Sequence, residues 1–111
     1  MDEGTRHRIA KNEALFRDLN ERVKEIDRAH GVPADELWDF LCECGNADCL
    51  ERVPMTLAEY ERVRSNAVQF AVVPGHETPE VERPLHETAR FAIVEKRPNE
   101  RSIAVTTDPR S

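Results

Sequence analysis

All three cysteines of the chain fall within one eight-residue window. The stretch Phe40-Leu-Cys-Glu-Cys-Gly-Asn-Ala-Asp-Cys-Leu50 sets Cys42, Cys44 and Cys49 at a C-x-C-x4-C spacing. The thiol count is odd, and the amino terminus MDEGTRHRIAKNE is polar where a signal peptide carries its apolar segment. Both features argue against a disulfide framework and for metal ligation or reactivity in a soluble, cytoplasmic protein. A thiolate binds zinc at about 2.3 Å, and a closed structural site needs four ligands converging tetrahedrally. A fold that builds such a site must bring a fourth ligand to this loop.

Three ligands follow from local pattern. Leu37 to Cys44, LWDFLCEC, alternates as a strand, with Trp38, Phe40, Cys42 and Cys44 on one face. The loop Gly45-Asn-Ala-Asp48 holds the turn-forming residues that would return Cys49, and Gly45 gives conformational latitude directly after Cys44. For the fourth ligand, His76 is the first choice, because the turn Pro74-Gly-His-Glu77 follows a candidate core strand and can aim one side chain at a neighbouring strand end. His86, beside Pro84, is second. His30 suits the end of the first helix, where its cation would meet the helix dipole, and His7 reads as a solvated helix residue. Asp48, Glu43 or water could instead supply oxygen. The competing reading is three half-buried cysteines acting as small hydrophobes.

Composition favours a staple. With 111 residues, 39% hydrophobic and 34% charged, the chain fits one domain with a thin core, which a bound metal or an oligomer interface would support. The net charge of −6, from 22 acidic and 16 basic residues, opposes nucleic acid and anionic lipid. Thr5 to His30, the most basic element, carries only seven Lys or Arg against five Asp or Glu. No apolar run approaches the length of a membrane span.

The pattern divides the chain into an amphipathic helix (1–33), a small zinc-binding α+β domain (34–96) and a mobile C-terminal tail (97–111). In the helix, Ile9, Phe16, Leu19, Val23 and Ile26 fall at steps of 7, 3, 4 and 3, with Asn12 filling the missing place. Thr5 is the expected N-cap and Gly31 the terminator. The stripe is expected to pack on the chain's own core. The alternative is a homodimer or protein-partner seam, with Asn12 setting register.

A second strand is expected over Leu50 to Met55, with Pro54 at an edge. Thr56-Leu-Ala-Glu59 is a capping box opening a helix to about Arg64, with Leu57, Tyr60 and Val63 on one side. The segments 37–44, 69–73, 81–86 and 90–96 are expected to form one small, mostly antiparallel sheet, the last two as a hairpin with Pro84 at the edge. The tail offers one short candidate strand, Ser102 to Thr106.

The C-x-C-x4-C spacing resembles the zinc-binding post-SET segment of protein lysine methyltransferases, over those eight residues alone. More of the chain, residues 8 to 96, resembles a family of short uncharacterised bacterial proteins. The resemblance is carried by Asn12-Glu-Ala-Leu-Phe-Arg17 with Asn20-Glu-Arg22, the thiol cluster, Glu59-Tyr-Glu-Arg-Val-Arg64, Pro74-Gly-His-Glu77 and Val94-Glu-Lys96. Pro84 and Leu85 stand where such sequences usually carry valines. The resemblance implies Cys42, Cys44, Cys49 and His76 as one ligand set, and no established activity.

The functional expectation is a structural Cys3His Zn2+ site in a protein-interaction or regulatory module, and not an enzyme. A zinc-thiolate redox switch is the alternative. A small metal-dependent hydrolase with Glu77 as base is a further one, though the chain has no HExxH motif, Gly-rich phosphate loop or Ser-His-Asp arrangement.

Overall fold

The computed structural model describes residues 1–33 and 35–110. It is a mixed α+β structure. A long helix α1 (Glu3–Ala29) is followed by β1 (Leu37–Leu41), β2 (Arg52–Thr56), α2 (Leu57–Arg64), β3 (Gln69–Val72), β4 (Glu82–Glu87) and β5 (Ala92–Lys96). A 3-10 turn (Pro98–Glu100) and a short helix α3 (Ser102–Thr106) complete it.

The strands form two antiparallel sheets, β1-β2 and β3-β5-β4, rather than the single sheet expected. The split has a local cause. β1 pairs with β2 only as far as Leu41 opposite Arg52, and residues 42–44 then run beside β3 without a regular ladder. Glu43 N–H donates to Ala71 O at 2.8 Å, but the return bond runs from Ala71 N–H to the Glu43 carboxylate at 3.0 Å. A side chain replaces the carbonyl that a continuous sheet would offer. Pro54 lies in β2, and β4 with Pro84 is an edge strand, as proline's missing donor requires.

The Thr56–Glu59 capping box is present with both reciprocal bonds, at 2.9 and 3.1 Å. It turns Leu57, Tyr60 and Val63 into the core, where Tyr60 stacks on Phe40 with ring centroids 4.4 Å apart. Val53, Met55, Phe70, Val72 and Val94 fill the remainder.

α1 departs furthest from expectation. Its N-cap is Asp2 rather than Thr5, whose N–H donates to the Asp2 carboxylate at 2.7 Å; Gly31, at φ 70°, stops the helix as anticipated. The buried face is not the apolar stripe. It consists of Ala10, Glu13, Arg17, Asn20, Glu21, Lys24 and Asp27, while Leu15, Leu19 and Ile26 are 54%, 37% and 58% exposed. The surface that receives the helix is rich in unpaired backbone and charge. Arg17 donates to Ala67 O and Ala104 O at 2.6 and 2.7 Å, and Asn20 both donates to Leu41 O and accepts from Leu41 N–H at 2.9 and 2.8 Å. Buried polar groups left without partners cost free energy, so this helix docks through its donors and acceptors.

The segment read as a mobile tail is packed against α1. The strand expected over 102–106 is the helix α3, whose Ala104 is 3% exposed. Beyond it, Asp108 pairs with the buried Arg64, and Arg110 reaches Glu21 and Glu61.

Below α1, Glu13 and Glu82 are fully buried and share the Lys96 ammonium, at 2.6 and 3.9 Å. Burial first, and then Glu82 beside it, push the Glu13 carboxyl well above its ordinary value of 4.5. A carboxyl raised on folding gives its full stability below the unfolded value and loses it as pH rises through the folded one. Glu13→Gln, which stays neutral, should therefore gain stability relative to the parent as pH rises from about 5 to about 8. Urea denaturation across that range measures it, and a pH-independent difference would contradict the burial of an ionisable Glu13.

Candidate metal centre

Cys42 and Cys44 lie just past the end of β1 in the extended segment beside β3, and are 2% and 3% exposed. Loop 45–49 is pressed by α1: a Cβ at position 45 would come within 2.3 Å of Ile9 Cγ2, and Asn12 donates to Gly45 O at 3.1 Å. Glycine is needed there for close approach, since its φ is not positive. Asn46 then closes the turn, its side chain accepting from Asp48 N–H at 2.9 Å and its carbonyl from Cys49 N–H at 3.1 Å. This returns Cys49.

His76 arrives from the other side. Beyond β3, the His76 N–H donates to Val73 O at 2.9 Å across a turn in which Gly75 takes φ 92°, a conformation that favours glycine. The ligand atoms of Cys42, Cys44, Cys49 and His76 all lie within 4.8 Å of one another. His76 Nδ1 is 3.6 Å from Cys42 Sγ and 3.7 Å from Cys49 Sγ. A tetrahedron with sulfur at about 2.3 Å and nitrogen at about 2.0 Å from its centre has a sulfur–nitrogen edge of about 3.5 Å. The group could hold a metal ion.

The surroundings match that use. Each sulfur receives one backbone N–H: Cys42 from Val73 at 3.2 Å, Cys44 from Asn46 and Cys49 from Glu51. Such donors stabilise the charged thiolate. On the far side of the ring, His76 Nε2 lies 2.8 Å from the Glu51 carboxylate. That contact assigns the ring proton to Nε2 and leaves the Nδ1 lone pair facing the sulfurs.

Without a cation the three sulfurs compete for charge. The hydrogen bond with Cys42, reinforced by the Asn46 N–H, holds Cys44 down to about 5. Cys42 is pushed up by its bond to Cys44 and by burial, and Cys49 by burial and then by Cys44. One thiolate is favoured and the others resist, a conflict that a bound cation removes while displacing protons.

The other candidates lie elsewhere. His86 is exposed on β4 beside Phe91, His7 is exposed on α1, and the exposed His30 holds Nδ1 2.8 Å from Ile26 O. Asp48 is exposed in the loop. Glu77 accepts from Gly75 N–H at 3.1 Å, bracing the turn. Glu43, which alternation places outward, is fully buried, with its oxygens engaged by Tyr60, Asn20 and Ala71. Sequence reasoning missed Glu51 and Asn12. Asn12 was visible only as a polar gap in an apolar seam, and nothing in hydropathy distinguishes Glu51 from other acidic residues.

Glu51→Gln keeps the size of the side chain and removes its charge, so it should weaken metal binding about tenfold to a hundredfold, the usual effect of losing a carboxylate behind a histidine ligand. Competition against a chelating dye would read this, and an unchanged affinity would remove Glu51 from the centre. No protein-family model, curated protein or solved structure matches the chain, so the centre is argued from its own geometry.

Proposed function

We propose that the chain is a zinc-stapled module in which Cys42, Cys44, Cys49 and His76 hold one structural Zn2+. The observation that carries this is the convergence of four ligand atoms, within 4.8 Å, from a strand end, a loop and a separate turn. Three thiolates and an imidazole complete a tetrahedron, and a closed site of that kind stabilises a fold instead of activating water. We read the module as serving protein interaction or regulation, with the exposed Leu15, Leu19 and Ile26 of α1 as the surface for a partner or a second copy. We further propose that the chain belongs with the short bacterial proteins whose blocks it resembles. Among the described residues no helix is long and apolar enough to cross a membrane.

A second reading, a thiolate switch, has one observation behind it: Cys49 is only partly buried, and so is the ligand that peroxide would reach first. Two-electron oxidation of two zinc-bound thiolates to a disulfide, with reduction of peroxide to water, would release the metal.

Structural zinc contributes about 10 to 16 kcal/mol of apparent binding free energy in small zinc-dependent peptides, comparable with the whole stability of an ordinary domain. Native mass spectrometry should show one zinc per chain, and Cys44→Ser should lose both the metal and the cooperative melting transition. A variant that melts like the parent and retains zinc would refute the structural role. Reversible zinc release by mild peroxide, restored by thiol and metal, would favour the switch.

A further inference from the structure

Away from the metal centre, α2 covers only part of the β3-β5-β4 sheet. Between α2 and the edge strand β4 an open cleft of about 280 Å3 remains. Its floor is apolar, formed by Phe91 and Ile93, which are 3% and 9% exposed. The β4 wall has an irregular register: Pro84 pairs with Val94 and His86 with Ile93, so Leu85 is an extra residue between adjacent partners. Regular alternation would send Leu85 and His86 to opposite faces, but the bulge lets both line the cleft.

The polar groups of the lining fall into two sets. Glu59 is engaged by Arg90, which donates to both carboxylate oxygens at 2.9 and 2.7 Å. The side chains of Arg62, Gln69 and His86 take part in no hydrogen bond or ion pair among the described residues. With Glu59 neutralised by its partner, the cleft keeps the positive charge of Arg62, in a chain whose net charge is −6. An apolar floor with a few convergent polar groups is the usual composition of a small-molecule site, and the guanidinium prefers a carboxylate.

We propose that this cleft binds a small organic carboxylate with a ring-sized apolar body. The body lies on Phe91 and Ile93 between Leu85 and α2, and the carboxylate meets Arg62, with Gln69 and His86 as further hydrogen-bonding groups. The site is separate from the Cys3His cluster and does not depend on that cluster being occupied by zinc.

Phenylacetate serves as the probe, titrated into the metal-loaded full chain and followed by backbone amide shifts. Shifts should saturate at residues around Arg62, Gln69 and Leu85 to Ile93, and leave those of 42–49 unchanged. Neutral phenylacetamide should bind about tenfold more weakly, as should phenylacetate to Arg62→Ala, because each removes one charge-assisted contact. Arg62 is exposed on α2, so the variant should keep the parent's circular dichroism. Equal affinity for acid and amide, no loss in Arg62→Ala, or shifts only at the cations of α1 would each overturn the assignment.

Discussion

The buried carboxylate of Glu43 binds three elements at once. One oxygen accepts from the Tyr60 hydroxyl of α2 at 2.6 Å and from the Asn20 amide of α1 at 2.9 Å, and the other from the Ala71 N–H of β3 at 3.0 Å. Burial pushes this carboxyl up, and the three donors act against that. Each partner is held by another constraint: Asn20 also brackets Leu41, Tyr60 stacks on Phe40, and Ala71 O receives the Glu43 N–H. Glu43 stands between Cys42 and Cys44, so the network that fixes α1 and α2 also fixes two metal ligands. Loss of any one partner would leave a buried polar group unsatisfied, which costs more than the net worth of the bond itself.

This arrangement explains why so acidic and thinly hydrophobic a chain can place a long helix. α1 contributes little apolar area to the core. It contributes donors and acceptors, Asn12 to the thiol loop, Asn20 to the strand end, Arg17 to the chain before β3 and to α3, and Glu13 to Lys96. Such contacts are directional, and they fix the helix in one register where an apolar stripe would tolerate sliding. Of the apolar stripe, Leu19 and Ile26 face outward, while Ile9, Phe16 and Val23 are half-buried along the margin of the contact.

What the sequence revealed divides along the same line. Elements specified by local chemistry were legible: the Thr56–Glu59 box, the Gly31 stop, the Pro54 and Pro84 edges, the alternation that buries Phe40. The thiol spacing and the Pro-Gly-His turn singled out the four residues that the fold brings together. Features specified by distant polar partners were not legible. Hydrophobic periodicity has the right period for α1 but selects the wrong face, since it counts apolar residues and the buried ones carry charge. Alternation sends Glu43 to solvent for the same reason. Residues 102–106 read as a strand from their β-branched content, whereas the guanidinium of Arg17, far away in sequence, donates to Ala104 O within a helical turn.

The central claim is that three sulfurs and one imidazole nitrogen converge on a single zinc ion. X-ray absorption at the zinc edge of the metal-loaded chain tests this most directly, because it counts ligands by element and distance. The account predicts three sulfurs at about 2.3 Å and one nitrogen at about 2.0 Å. A shell made only of nitrogen and oxygen, or one with fewer than three sulfurs, would contradict it.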